Sequence, residues 1–293
     1  MPKPTTRRTV ASYKSENKPT WCPGCGDFGV LSGLYKALVA LELDSKDIVL
    51  VSGIGCSGRL PEFVNAYGLH VVHGRALPTA MGVKLANPNL TVLAVGGDGD
   101  GFAIGGGHVP HAVRRNVDIT YIVMDNEVYG LTKGQPSPTT PAGLSALKMS
   151  QMMVKMAPYA GIIEMPLNIM AMVLTYGASF IARGFSGQPI MLTDLYIEAI
   201  QHKGFSFIHA LSPCPTFYNT YDSWKQLVTP LPENFDTTDR AEAIRLALTE
   251  DVFHLGVFHK QEWPTMEEMV GTVKTTARGD QEVTLEKLFD LYA

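Results

Sequence analysis

Two kinds of residue in this chain are spaced for chemistry: polar side chains set among glycines, and cysteines set in turns. The run GGDGDGFAIGGG, Gly96 to Gly107, holds seven glycines in twelve residues. Glycine lets backbone amides approach an anion closely, and amides at a helix start carry partial positive charge, so the run predicts a phosphate cradle. It has neither the GxGxxG spacing of dinucleotide sites nor the GxxxxGK(S/T) of a P-loop, since no lysine follows. Taken alone it would equally suit a glycine-rich turn with a solvated aspartate. Asp98, however, stands 28 residues before Asn126. A carboxylate and an amide oxygen on neighbouring loops suit a hard cation such as Mg²⁺, whose other ligands would be diphosphate oxygens.

Cys22 and Cys25 form a CxxC in WCPGCG, while Cys56 and Cys214 are single and distant, and these are all four cysteines of the chain. They are too few for a disulfide scaffold, so a metal or redox role is expected. Four thiolates suit a tetrahedral Zn²⁺ or a 4Fe–4S cluster. Zinc sites usually use two CxxC knuckles, so one adjacent pair favours iron and sulfur and leaves zinc open. Cys214 by itself reads as core packing. His108 and His111 make HxxH, half of a metal site with no third ligand in view, and read as helix packing. His73, in HGRA after the strand-like Leu69–Val72, can offer its imidazole to phosphate or substrate. The methionines at 149, 152, 153, 156, 165, 170 and 172 fit a flexible core or interface segment.

The elements that carry these residues follow from apolar periodicity. Val30, Leu31, Leu34, Ala37, Leu38 and Leu41 recur at three- and four-residue steps and predict an amphipathic helix. Buried strands are expected over Ile48–Ser52, Thr91–Gly96, Ile119–Asp125, Ser179–Arg183 and Phe205–Leu211. Helices are expected over Arg75–Asn87, Ile104–Asn116 and Met191–His202. That alternation predicts an α/β fold with a mostly parallel sheet and helices on both faces. Gly53–Gly58, Gly97–Gly99, Asp125–Glu127 and Cys214 would then all follow strands, at the carboxyl edge where open α/β sheets bind ligands.

Composition narrows the class. Over 293 residues, Lys+Arg number 24 and Asp+Glu 28, a net charge of −4, which lacks the basic excess that nucleic-acid binding needs. Charged residues are 18% and hydrophobic ones 45%, against about 25% charged in an average soluble chain, so a surface buried against another subunit is expected. No apolar run approaches the roughly 18 residues of a membrane span. Residues 1–20 lack an apolar core and read as an extended arm, not a secretory signal, with the cytoplasm as default location. Residues 21–230 form the main domain, and Pro230 and Pro232 mark a linker. Residues 231–293 hold 13 acidic and 6 basic side chains and are expected as a helical extension on the surface.

The stretches WCPGCGDFGVL, GIGCSGR, HGRALPTAMGVKLANP, GGDGDGFAIGGGH, DNEVYGLTKGQPSPTT and LSPCPTF, in this order over roughly residues 12 to 220, resemble the β subunit of 2-oxoacid:ferredoxin oxidoreductases, most closely the 2-oxoglutarate type. The resemblance implies a thiamine diphosphate enzyme in which this chain is the diphosphate-binding half. It implies Mg²⁺ on Asp98, Asn126 and the carbonyl of Val128, and one 4Fe–4S cluster on Cys22, Cys25, Cys56 and Cys214. Gly55, Cys56, Ser57, His73, Gly97, Asp98, Gly99, Asp100, Asn126, Val128, Tyr129, Gly130, Leu131 and Thr132 would meet the cofactor. His73 and Lys133 would serve catalysis, the latter by meeting the distal carboxylate of 2-oxoglutarate. The implied reaction is CoA-dependent oxidative decarboxylation of a 2-oxoacid with electrons passed through the cluster to ferredoxin. An α subunit that carries the pyrimidine-binding domain would complete the site, in a heterotetramer or similar assembly. A pyruvate or broad-specificity enzyme, and a non-catalytic subunit stabilised by zinc, are the other readings.

Overall fold

The computed structural model describes residues 8–144, 162–249 and 251–278. Eight strands build its main sheet: β1 (Ile48–Ser52), β2 (Tyr67–His70), β3 (Thr91–Gly97), β4 (Thr120–Asp125), β7 (Phe180–Phe185), β8 (Ser206–Leu211), β9 (Val228–Pro230) and β10 (Phe253–Lys260). Between β4 and β7, β5 (Val128–Tyr129) and β6 (Gln135–Pro136) pair as a separate small hairpin. The order across the main sheet is β2-β1-β3-β4-β8-β7-β10-β9. Its first six positions, from β2 to β7, pair in parallel. β10 runs antiparallel to β7 and parallel to β9.

The central strands are buried on both faces, which is why they read as unbroken apolar runs. Alternate residues go to opposite sides. Val49 and Val51 of β1, Val92 and Ala94 of β3, and Tyr121 and Val123 of β4 meet one helical layer. The helices, in chain order, are α1 (Val10–Tyr13), α2 (Asp27–Ala40), α3 (Ala76–Ala86), α4 (Val109–Arg115), α5 (Ile169–Tyr176), α6 (Pro189–Gln201), α7 (Tyr221–Leu227), α8 (Arg240–Ala247) and α9 (Met266–Arg278). The first layer comprises α3, α4, α5 and α8. Ile48 and Leu50, Leu93 and Val95, Ile122 and Met124 meet the other layer. There α2 packs on α6, with α1 beside them. The stripe Val30, Leu31, Leu34, Ala37 and Leu38 of α2 is buried. Trp224 of α7 is buried against Phe185 and Leu211 at the end of the sheet.

Several expectations need adjustment. Ile104–Asn116 is not one helix. A π-turn over Asp100–Ile104 and a 3₁₀ turn over Gly106–His108 precede α4, because three successive glycines cannot sustain a regular helix between them. Residues 231–293 are not simply a helical extension on the surface. β10 joins the main sheet, and Phe258, Leu255, Ala243, Leu246 and Ala247 are buried. The acidic side chains among the described residues of this segment are exposed or half-buried, and averaging charge over the segment hides the short apolar strand. The last described helix, α9, is largely exposed. His108 is half-buried and His111 exposed, so neither packs in the core. Of the methionine segment, Met149, Met152, Met153 and Met156 lie outside the described residues; Met170 is buried and Met165 exposed.

Candidate functional site

After β1 the chain crosses to β2 on one side, and after β3 to β4 on the other. The carboxyl ends of β1 and β3 are therefore the switch point of the sheet, where diverging loops leave a crevice. A cleft of about 530 Å³ opens there. Its walls come from the loop after β1 (Gly55, Cys56, Ser57), the loop after β3 (Gly97, Asp98, Gly99, Asp100) and the turn after β4 (Asn126, Val128). The β5–β6 hairpin adds Tyr129, Gly130, Leu131 and Thr132. His73 closes one side. Every residue expected to meet the cofactor lines this cleft. Lys133 does not line it: it stands exposed at the hairpin tip with φ 76°, a left-handed conformation unusual for a side chain with a Cβ.

Asp100 ties the loops together. Its Oδ1 accepts hydrogen bonds from the amides of Ile54 at 2.9 Å and Gly74 at 2.8 Å. His73 Nδ1 stands 3.2 Å from the same oxygen. Gly53 must lack a side chain here, because a Cβ would fall on the Asp100 carboxylate. The Tyr129 ring lies against Gly99, where a Cβ would come within 2.2 Å of it, and its hydroxyl donates to Gly99 O at 3.4 Å.

Asp98 is 2% exposed. Burial first, and the charge of Asp125 second, push its carboxyl up to about 7. Thr139 Oγ1 lies 2.8 Å from Asp98 Oδ2 and 3.0 Å from Asp125 Oδ1. One hydroxyl has one hydrogen, so it satisfies one carboxylate at a time. Asp125 has other donors: the Glu127 amide at 3.0 Å and His209 Nε2 at 2.9 Å. Arg183 Nε donates to His209 Nδ1 at 3.2 Å, which fixes the histidine tautomer and leaves its proton on Nε2. The guanidinium itself is buried over the rings of Phe253 and Phe258. A buried chain thus runs from Arg183 through His209, Asp125 and Thr139 to Asp98. Asn126 Oδ1 accepts the Val128 amide at 3.0 Å, a turn that sets the Asn126 side chain and Val128 in one wall.

Asp27, Asp98 and Asp100 all line the cleft, and no lysine or arginine among the described residues does. A diphosphate entering this acidic space needs a cation between it and the carboxylates, so the donor set of Asp98, Asn126 and the Val128 carbonyl fits a hard divalent ion.

The thiols lie immediately beyond Gly130. A Cβ there would stand 3.4 Å from Cys56 Sγ, 3.8 Å from Cys214 Sγ and 3.7 Å from Asn126 Nδ2. The Cys22–Cys25 loop is tied to the same place: the Gly26 amide donates to Pro213 O at 3.0 Å, and Trp21 Nε1 to Cys56 O at 2.8 Å. Burial first, then the Asp27 carboxylate, push the Cys56 thiol up to about 12 and raise that of Cys25 also; Cys214 and its neighbouring thiols add to both. Thiols so placed become thiolates only against strong positive charge, which a metal or cluster would provide. Among the described residues, no three His, Cys, Asp or Glu side chains close on one point as the ligands of a single ion would.

Sequence reasoning missed four members of this site. Asp27 sits inside the WCPGCGD motif and joins the cleft to the thiols; its Oδ1 accepts from Ser212 Oγ at 2.6 Å, while its Oδ2 is buried without a partner. Thr139 is in the PTT stretch. Arg183 and His209 could have been flagged as polar residues inside otherwise apolar strands, since buried polar groups need partners.

The family model "Thiamine pyrophosphate enzyme, C-terminal TPP binding domain" matches residues 53–210. A second, describing the C-terminal part of the pyruvate ferredoxin oxidoreductase beta chain, matches residues 214–275. The 2-oxoacid:ferredoxin oxidoreductase subunit beta of Saccharolobus solfataricus is 42% identical over 83% of this chain and 82% of its own. The 2-oxoglutarate synthase subunit KorB of Archaeoglobus fulgidus is 40% identical over 85% and 87%. A solved structure, the 2-oxoglutarate:ferredoxin oxidoreductase from Magnetococcus marinus with 2-oxoglutarate, coenzyme A and succinyl-CoA bound, superposes with a TM-score of 0.91 at 42% identity, covering 98% of this chain and 96% of that one. With its thiamine-type α/β domain and a switch-point cleft at the expected residues, this chain belongs to the 2-oxoacid:ferredoxin oxidoreductases, as a β subunit that works with a partner subunit.

Proposed function

We propose that this chain, together with its α partner, carries out the CoA-dependent oxidative decarboxylation of 2-oxoglutarate to succinyl-CoA and CO₂. Cys22, Cys25, Cys56 and Cys214 would hold a 4Fe–4S cluster, which would supply one-electron transfer to ferredoxin. The observation that carries this reading is Gly130: a single residue without a side chain separates Asn126 in the acidic cleft from two thiols. A donor in the cleft and an acceptor on the thiols would be near neighbours.

When bound, thiamine diphosphate supplies decarboxylation and an electron-rich carbon, Mg²⁺ neutralises the diphosphate, and the cluster accepts single electrons. The chain's residues have separate tasks. Asp98, Asn126 and the Val128 carbonyl hold the cation. Gly97 and Gly99 let the backbone approach the diphosphate. Asp100 fixes the loops after β1 and β3 at one spacing, and His73, with Nδ1 toward Asp100, can take or give a proton at Nε2. Lys133 is assigned to the distal carboxylate of 2-oxoglutarate in the assembled enzyme: it follows Thr132 of the cleft wall, is exposed, and makes no ion pair among the described residues.

The relatives' names support 2-oxoglutarate over pyruvate, and the Magnetococcus marinus structure was solved with coenzyme A bound. Zinc held by the same thiols, in a subunit without a redox role, is the other reading. Iron, acid-labile sulfide and zinc in anaerobically purified protein decide between the two. Four iron and four sulfide per chain are expected; a colourless protein with one zinc would reject the redox reading.

A further inference from the structure

Cys56 lines the cleft, whereas Cys22 does not line it and is exposed. Beside it lies a second concavity of about 1030 Å³, between the loop that precedes Trp21 and helix α2. Its floor is apolar: Leu31 and Tyr35 are buried, and the Phe28 ring is 38% exposed. Phe28 packs edge-on against Trp21, with ring centroids 5.5 Å apart, so the floor is continuous with the loop bearing Cys22. Lys14, Lys18 and Lys36 line the groove, and all three are exposed. Other basic residues nearby are engaged: Arg8 and Lys46 pair with Asp44, and Arg59 with Glu62. Among the described residues, none of the three lysines pairs with a carboxylate, and Glu16 is the one acidic residue in the intervening loop.

Resting on the proposed function, we propose that this groove docks the electron acceptor, a small acidic carrier protein of the ferredoxin kind named in the relatives. Three uncompensated ammonium groups around an apolar floor complement a partner with carboxylates around an apolar contact. Electron-transfer encounters are small, weak and steered by charge, so a few lysines set the encounter rate without a large interface. Position supports the assignment: Pro19 and Phe28 of the groove flank in sequence the loop that bears Cys22, the most exposed of the four thiols, so a partner seated there would lie near that loop.

The test uses the assembled enzyme with its partner subunit. K14E/K18E/K36E and K14Q/K18Q/K36Q are compared with the parent in two assays. One is steady-state ferredoxin reduction across a salt series; the other is the single-turnover bleaching of the cluster by 2-oxoacid and CoA with no external acceptor. The KM for ferredoxin should rise by about tenfold for the Glu variant at low salt and less for the Gln variant. The salt dependence should flatten as screening has less attraction to remove, with bleaching rates unchanged. An unchanged ferredoxin KM and salt slope would overturn the proposal. So would variants that no longer assemble, since the groove would then belong to the partner subunit. If the parent bleaches no cluster at all, the proposed function fails first, and that result is distinguishable from loss of docking alone.

Discussion

Asp98→Asn separates the cation-binding role proposed for this residue from its place in the fold. Without a bound cation the carboxyl is raised to about 7 by burial and by the charge of Asp125. A carboxylate whose folded pKa lies above its unfolded value is destabilising once ionised: stability is fully present below the unfolded pKa and falls as pH rises toward the folded one. The cost at neutral pH is on the order of a few kcal/mol, at about 1.36 kcal/mol per unit. Asparagine keeps the shape and can still accept from Thr139, but it carries no charge. The apoprotein of the variant should therefore melt several degrees higher at pH 8, while the increase in melting temperature on adding Mg²⁺ and thiamine diphosphate should shrink. Protons and the cation would also compete for wild-type Asp98, so cofactor affinity should fall about tenfold between pH 8 and pH 6 and flatten above pH 8. Calorimetric titration across that range, with scanning fluorimetry, reads all three quantities. A variant that keeps both the wild-type pH slope and the wild-type cofactor affinity would refute the reasoning.

Cys214→Ser should abolish the broad iron–sulfur absorbance and ferredoxin reduction while the far-ultraviolet circular dichroism stays intact; a brown, fully active variant would show the ligand set to be wrong. Lys133→Ala should lower kcat/KM on 2-oxoglutarate at least about tenfold more than on pyruvate, and equal losses would leave it without a role in selection. Thr139→Val removes the hydroxyl between Asp98 and Asp125 with little change of volume, and should weaken Mg²⁺-dependent cofactor binding measured by titration. His209→Asn, which breaks the chain to Arg183, should weaken it less.

Much of the fold was legible because its central strands are buried on both faces. Ile48–Ser52 is reproduced residue for residue, and β3, β4, β7 and β8 lie within two residues of expectation at most ends. The loop residues were legible because glycines, a lone Asp–Asn pair and cysteines stand out from the apolar pattern. The hairpin bearing Tyr129 was not, since two-residue strands leave no period to read. Nor was the tie of β10 to β7, where Gly256 and a register shift between Val257 and His259 interrupt the alternation. The Arg183–His209–Asp125–Thr139–Asp98 chain joins residues distant in sequence, His209 and Asp125 being 84 positions apart. Only the sheet register, which pairs Asp125 with Leu211 and Arg183 with His209, brings them together.

The central claim is that this chain holds the diphosphate cleft and the electron exit of an enzyme whose other half lies on a partner. The most direct measurement is anaerobic turnover of 2-oxoglutarate with CoA and ferredoxin, using the β subunit reconstituted with thiamine diphosphate, Mg²⁺, iron and sulfide, with and without the α subunit. Succinyl-CoA and reduced ferredoxin in a ratio of one to two are expected from the complex, and no turnover from the β subunit alone. Substantial turnover by the β subunit alone, or a complex that forms succinyl-CoA without reducing ferredoxin, would contradict the account.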